Sequence, residues 1–227
     1  LINQCVTKGL DPNVEMKDSG VEWIGEIPKH WTLSRLKYTS SLLNGYAFSS
    51  DDFDPNNEIP VIRIGNVKSP FDLNDCVKVK KEIYEKHKGF EILKKDILVG
   101  MTGGTIGKSA AYDLEELALV NQRVCVFRSL QNSDQEFLSI YMKSNTFKKQ
   151  VELNCEGGGQ PNIGKEELMN FDICLPPIDE QKKIKNDFLS KSFKNQNLIN
   201  LNKKRISILK EYRQSLISSV VTGKVRV

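Results

Sequence analysis

The spacing of apolar positions changes several times along the chain, and each change predicts a different element. Leu1 to Lys8 reads as the last turns of a helix stopped by Gly9. Asp11 to Pro28 follows as a linker, with Pro12, Asp18-Ser19-Gly20 and Gly25 marking turns. Trp23 and Trp31 flank Ile27-Pro28 and are expected to pin this linker through buried indoles. From Thr32 to about Lys95 the period shortens toward two. Thr32 to Leu36 opens a strand or extended arm, and Pro60 to Val67 alternates as a half-buried strand ending at Gly65. Ile97-Leu98-Val99 is a short apolar run ending at Gly100. Lys108 to Tyr112 and Leu119 to Arg128 predict further strands, the second rich in β-branched Val120, Val124 and Val126. Phe137 to Gln150 has helical spacing, with Phe137, Ile140, Tyr141 and Phe147 on one face. Phe171 to Leu175 is a last strand, closed by Pro176-Pro177.

A different pattern then takes over. Ile178 followed by Asp179 suits an apolar residue and an N-cap, with Glu180 in the first turn. No Pro or Gly appears until Gly223, which predicts a helix of about forty residues, roughly 60 Å long. Ile199, Ile206, Leu209, Leu216 and Val220 fall on one a/d seam, with Asn202 and Arg213 at the remaining positions. Leu198, Leu201, Ile208 and Tyr212 form a neighbouring stripe. Such a helix must bury two apolar stripes, most simply against another long helix; packing along its own domain covers only the first few turns. The end of this helix also echoes the start of the chain. Leu216-Ile217-x-x-x-Val221-Thr222 repeats Leu1-Ile2-x-x-x-Val6-Thr7, each followed closely by Gly, as one unit of a tandem repeat would. The fold class predicted is α+β. A mixed, β-rich domain at 20–177 lies between a helix tail and linker at 1–19 and a helical region at 178–227.

Charge sharpens this division. The net +4 over 227 residues conceals twelve Lys and Arg against four Asp and Glu from Ile178 onward, so that segment carries +8 and the rest −4. The globular part therefore does not act through bulk positive charge. The basic segment is open to two readings, a solvated helix face or phosphate contact. The five cysteines (Cys5, Cys76, Cys125, Cys155, Cys174) are odd in number and scattered, which predicts free thiols in a reducing cytoplasm. With only His30 and His87 besides, no metal site is expected. No run approaches the roughly 20 apolar residues of a membrane span, and Leu1 to Gly9 has no signal-peptide pattern. A chain opening on Leu1 is expected to be a piece of something longer.

The sequence holds no catalytic constellation. GMTGGTIGKS at Gly100 to Ser109 has Thr102 where a phosphate-binding loop needs Gly, and a strand rather than a helix is expected after it. Gly157 to Asn162 falls short of G-x-G-x-x-G. Glu15-Met16-Lys17 has no suitably spaced Pro-Asp before it. No nucleophile elbow, zinc-protease motif or methyltransferase tetrapeptide is present, and no cofactor is implied. The glycine-rich loops still permit close backbone approach to a ligand. Around them stand Thr102, Thr105, Lys108, Gln160 and Asn162, and at another strand end Arg63, Asn66 and Lys68, all of types that read bases or grip phosphates. Tight turns between strands explain the same residues, and both readings stay open. Asn121-Gln122-Arg123, inside an apolar strand, faces the same choice between internal hydrogen bonds and DNA contact.

Several of these motifs, in this order, resemble type I restriction–modification specificity subunits. They are Gly20 to Pro28 with Trp31, Asp96 to Val99 with Gly104 to Lys108, Asn121-Gln122-Arg123, Gln160-Pro161-Asn162, Leu175 to Gln181, and Ser215-Leu216-Ile217 to Gly223. The resemblance implies two such units in tandem, whose long helices pair antiparallel and set the distance between two half-sites on double-stranded DNA. It also implies that methyltransferase subunits dock on the helices, that restriction subunits join indirectly, and that DNA methylation and cleavage belong to those partners. This chain resembles the second half, either as a fragment or as a half-subunit that dimerises through its long helix. Two alternatives stay open, a coiled-coil structural adaptor without DNA function and a nucleotide-binding enzyme using the Gly100–Ser109 loop. Base-contacting residues vary across the family, so the candidates above rest on residue type and loop position.

Overall fold

In the computed structural model, residues 2–155 and 161–222 are described. The elements in chain order begin with α1 (Ile2–Thr7), β1 (Met16–Asp18), β2 (Glu26–Pro28), β3 (Thr32–Arg35), α2 (Leu36–Thr39) and β4 (Ser40–Asn44). Then come β5 (Ile59–Ile62), β6 (Val77–Val79), α3 (Lys81–Lys86), β7 (Glu91–Ile92), β8 (Ile97–Gly100), β9 (Ser109–Ala111), β10 (Ala118–Val120) and β11 (Val124–Ser129). The series closes with α4 (Gln135–Tyr141), α5 (Asn145–Asn154), α6 (Lys165–Met169), β12 (Asp172–Leu175) and α7 (Ile178–Val221). The fold is α+β.

Two four-stranded sheets carry the core, in the orders β6-β5-β10-β7 and β4-β11-β8-β9. In the second, Val126 of β11 stands opposite Leu43 on one side and Leu98 on the other. In the first, β10 runs parallel to β5, with Leu119 opposite Val61 and Val120 opposite Ile62. Alternation along β5 and β10 then separates two apolar clusters. Ile62 and Val120 join Leu98, Ala110, Val124 and Val126 in the larger one, which spans both sheets. Val61 and Leu119 turn to a smaller one with Phe48, Ile59 and Val79, packed against Ile83 and Tyr84 of α3. Each such fully buried side chain contributes about 1.5–3 kcal/mol.

Several expectations are corrected by packing. The strand expected from Pro60 to Gly65 is buried on both faces and ends at Ile62. Arg63 leaves the sheet because its N–H donates to Asn66 Oδ1 (3.0 Å), which bends 64–66 into a single 3₁₀ turn. The expected linker contains a hairpin, β1 against β2, with Lys17 opposite Ile27. Trp31 is buried at 1% exposure, but Trp23 is 43% exposed, because it sits in the hairpin loop rather than beneath it. The helix expected over 137–150 is two helices. Ser144 Oγ accepts from Phe147 N–H and starts α5 as a new N-cap. The run from Leu119 to Arg128 is likewise two strands, interrupted at 121–123.

By internal contacts the chain divides into Leu1–Lys185 and Asn186–Val227. The first unit takes in α1, whose Cys5, Val6 and Thr7 are buried, and the opening turns of α7. Those turns are anchored by Gln181, which is fully buried. Its Oε1 accepts from Asp134 N–H (2.8 Å), and its Nε2 donates to the carbonyls of Pro176 (2.8 Å) and Asn132 (3.1 Å). Ile184 is buried beside it, and Lys185 pairs with Asp134 at 3.3 Å. The second unit, taken by itself, continues α7 for about 54 Å at 1.5 Å per residue. It keeps polar side-chain contacts along its surface, such as Gln196 to Asn200 (3.1 Å). Among the described residues no helix is long and apolar enough to cross a membrane.

Candidate nucleic-acid interface

The loops that leave β4, β5, β8 and β10, and the segment entering α6, meet at one place and are stitched together by main-chain hydrogen bonds. Tyr46 N–H donates to the Val120 carbonyl (3.0 Å), and Gln122 N–H donates back to that of Tyr46 (2.8 Å). Asn121 N–H donates to the Ile62 carbonyl (3.0 Å), and Met101 N–H to that of Arg123 (2.9 Å). Ile163 N–H donates to the Met101 carbonyl (3.0 Å) and Gly103 N–H to that of Pro161 (2.8 Å), with Thr102 bridged to Asn162. Two glycines make the junction possible. A Cβ on Gly45 would stand 1.9 Å from the Asn121 carbonyl oxygen, and one on Gly100 would stand 2.7 Å from that of Thr105. Backbone approaches backbone here without room for a side chain.

On this framework opens a shallow cleft of about 280 Å³ lined by Asn44, Gly45, Met101, Gln122, Arg123, Asn162, Ile163, Gly164 and Lys165. Asn44, Gln122, Arg123, Asn162 and Lys165 are exposed. Arg123 has φ +71°, in the left-handed region that non-glycine residues rarely occupy. It stands third in a turn closed by Val124 N–H on the Asn121 carbonyl (3.3 Å).

The predicted site residues distribute unevenly around this junction. Thr102 is buried, and Thr105 Oγ1 donates to the Thr102 carbonyl (3.4 Å) within the Gly103–Thr105 turn. Lys108 is exposed, and its carbonyl accepts from Gly100 N–H (3.0 Å). Asn162 lines the cleft. Gln160 lies outside the described residues, as do Gly157, Gly158 and Gly159. Arg63 is exposed at the neighbouring turn, whose Ile64 side chain lies against Gly100. Asn66 clamps that turn, accepting from Arg63 N–H and donating to the Asp75 carbonyl (3.3 Å). Lys68 pairs with Asp75 at 3.1 Å on the surface. The side chains of Asn66 and Thr105 thus hold turns in shape, whereas those of Arg63, Lys68, Lys108 and Asn162 are exposed.

Asn44 and Lys165 of the cleft were not among the predicted site residues, and Gln122 and Arg123 were left open between internal hydrogen bonds and DNA contact. One signal did exist: a polar triplet, Asn121 to Arg123, interrupts a run of β-branched apolar residues. The helix-pairing positions Ile199, Ile206, Leu209, Leu216 and Val220 are all exposed along the second unit, as are Leu198, Leu201, Ile208 and Tyr212.

One motif residue has structural work. Asp96, 3% exposed, accepts from Arg128 Nε (2.8 Å) and Nη2 (2.7 Å) and from Leu93 N–H (2.8 Å), fixing the entry to β8. Burial, and to a lesser degree Asp75 and Asp72, pushes the Cys76 thiol up to about 11; burial pushes Cys174 up to about 12 and Cys125 further. At neutral pH these three thiols are protonated and poor nucleophiles. Among the described residues no cluster of three or more His, Cys, Asp or Glu could hold a metal ion.

The chain thus combines an α+β domain bearing a stitched loop face with a long helix whose apolar residues are exposed. Residues 28–211 match the family described as type I restriction modification DNA specificity domain, and the chain belongs to it. It is 28% identical over 234 aligned residues to the type I restriction enzyme MjaVIII specificity subunit of Methanocaldococcus jannaschii, covering all of this chain and 53% of that one. It is 25% identical over 214 residues to the EcoKI specificity subunit of Escherichia coli, covering 88% of this chain and 44% of that one. The crystal structure of the HsdS subunit from Thermoanaerobacter tengcongensis shares the fold, with a TM-score of 0.64 at 16% identity over 99% of this chain and 50% of that one. The chain thus spans about half the length of the relatives it matches.

Proposed function

We propose that this chain is one DNA-reading half of a type I specificity subunit. The domain from 20 to 177 recognises one half of a bipartite double-stranded target. The long helix of the region 178–227, Ile178–Val221, pairs with a second such helix, in a homodimer or a second half-subunit, and docks methyltransferase subunits. Restriction subunits then join indirectly, and methylation and cleavage are performed by those partners in the cytoplasm.

The observation that carries this reading is the junction of loops. Main-chain hydrogen bonds make it rigid, so its outward polar side chains are presented at fixed positions, as sequence readout requires. The exposed apolar seam of α7 supports helix pairing, because such a stripe is stable in water only when covered. The net −4 of residues 1–177 predicts weak duplex binding by the domain alone, with partner subunits completing the clamp.

A gel-shift assay of the chain, alone and with a cognate methyltransferase subunit, tests this. Sequence-specific, salt-dependent binding that appears with the partner supports it. Helix pairing with no duplex binding in either case would leave a structural adaptor instead. Replacing Lys108 or Arg63 by Ala is expected to weaken DNA binding without changing the solution mass. Replacing Ile206 and Leu209 by Glu is expected to reduce that mass to a single chain.

A further inference from the structure

The cleft at the loop junction carries two cations that have no partner within the chain. Arg123 and Lys165 are exposed on it, with the carboxamides of Gln122 and Asn162 beside them. Among the described residues, none of these four side chains makes a hydrogen bond or ion pair. No residue lining the cleft is acidic, although the Glu167 carboxylate lies beside Gly164. This local excess of positive charge stands in a part of the chain, 1–177, whose net charge is −4. Arg123 also holds the third position of its turn at φ +71°, where glycine is ordinarily found. Lys95, the other non-glycine residue with positive φ among the described residues, pairs its ammonium with Glu136 at 2.8 Å. Arg123 has no such internal contact, so an external one accounts for keeping a side chain in a disfavoured conformation.

Shape then selects the ligand. Base edges lie on the floor of a major groove about 8.5 Å deep, which a projecting helix or ribbon reaches. A shallow concavity instead receives what projects from DNA, the ridge of phosphates along each strand. Guanidinium, ammonium and carboxamide groups all donate to phosphate oxygens. Gln122, Arg123 and Asn162 also stand in motifs shared with other specificity subunits. The phosphate ridge is the part of a target that stays the same whatever its base sequence.

Resting on the specificity reading, we infer that this cleft is a sequence-independent phosphate site that holds the backbone of one DNA strand at the half-site. Arg123 and Lys165 each pair with a phosphate, and the amides of Gln122 and Asn162 donate to the same oxygens. Main-chain bonds at Tyr46, Met101 and Ile163 fix the framework beneath them. The site therefore sets the register and orientation of the domain on the duplex. Base edges are met by loops outside the cleft.

The test measures binding by the full chain assembled with its methyltransferase partner, on the cognate duplex and on duplexes with each half-site base pair replaced in turn. Arg123→Gly suits the positive φ, so its melting temperature should equal or exceed that of the parent. Arg123→Asn is a second variant at that position, and Lys165→Ala changes only an exposed side chain. Each is expected to weaken every duplex by about tenfold, as loss of a charge-assisted hydrogen bond does. The ratio between cognate and replaced duplexes should stay that of the parent. The slope of log affinity against log salt should fall by about 0.9 for each substitution and by about 2 for both. Neutral methylphosphonate linkages, placed singly along the half-site, should weaken the parent at one or two positions and leave the Arg123→Gly, Lys165→Ala double variant unaffected there. A loss confined to one base pair, or an unchanged salt slope, would overturn the phosphate site and leave the specificity reading intact. Impaired assembly with the methyltransferase subunit at unchanged DNA affinity would also overturn it, by making the cleft a protein-docking surface. Absence of specific binding by the parent complex would overturn the specificity reading and this inference together.

Discussion

Gly45 packs against the main chain of Asn121 so closely that a Cβ would overlap the Asn121 carbonyl oxygen at 1.9 Å. The contact joins the end of β4 to the turn between β10 and β11, beside the cleft. Backbone cannot yield there, since the carbonyls and amides on either side are engaged with Val120, Tyr46 and Ile62. Gly45→Ala is therefore expected to destabilise the domain by about 3 kcal/mol, at the severe end for an overpacked site. Urea unfolding would measure it. A variant as stable as the parent would show that the junction can open.

Gln181 joins α7 to the domain through three main-chain groups, and its removal is expected to be felt by all of them. Gln181→Leu keeps the volume but leaves Asp134 N–H and the Pro176 carbonyl buried without their partner. Each orphaned group costs about 1–3 kcal/mol. The expected loss is about 3 kcal/mol in thermal or denaturant unfolding. Hydrogen exchange should concentrate the change at Asp134 and the first turns of α7, and uniform protection across the domain would contradict the anchoring role.

The bidentate pair between Asp96 and Arg128 is asymmetric in burial, since Asp96 is enclosed and Arg128 is partly open to water. Asp96→Ala abandons a cation that can still find solvent, whereas Arg128→Ala abandons a buried carboxylate. Arg128→Ala is accordingly expected to be the worse of the two, at about 3 kcal/mol. A double-mutant cycle should return a coupling energy of about 1–3 kcal/mol. Additive losses would mean that the two side chains act independently.

The buried thiols predict an alkaline limit to stability. Folding raises the Cys76 pKa from 9.0 to about 11 and the Cys174 pKa from 9.0 to about 12, in both cases chiefly by burial. Above pH 9 the unfolded chain releases these protons first, so it binds fewer than the native state and stability falls as pH rises. The loss should be absent at pH 7 and grow progressively from about pH 9. Cys76→Ser would leave a smaller slope in that window. Thiol-reagent titration at pH 8 should find Cys76, Cys125 and Cys174 slow in the folded chain and fast in urea. Rapid native modification of all three would refute the burial argument.

Legibility from sequence followed the range over which each feature is encoded. The apolar run of β8, the β-branched content of β11 and the uninterrupted stretch that becomes α7 are local periodicities. Each appeared in the structure close to its expected place. The two-faced burial of β5 could not be read, because it depends on α3 and β10 arriving from elsewhere in the chain. Trp23 and Trp31 are the same residue type eight positions apart. Only the hairpin between β1 and β2 decided that one indole is buried and the other stands in a loop.

The glycine-rich stretch at 101–108 was visible as a loop, and the ordered motifs placed the chain in its family before any coordinate did. Which loop residues face outward was a different matter. Asn66 and Thr105 looked like ligand-facing side chains by type, yet both close turns within the chain. Arg123 looked like the middle of a strand. Its exposure arises from main-chain contacts between segments that lie far apart in sequence, 46 with 122, 101 with 123 and 101 with 163. A sequence states residue type and local period, and from these follow the α+β class, the long helix and its apolar seam. The meeting of the loops is set by the register of β4, β5, β8, β10 and β11 in two sheets. That register is a property of non-local pairing, which only the tertiary structure could decide.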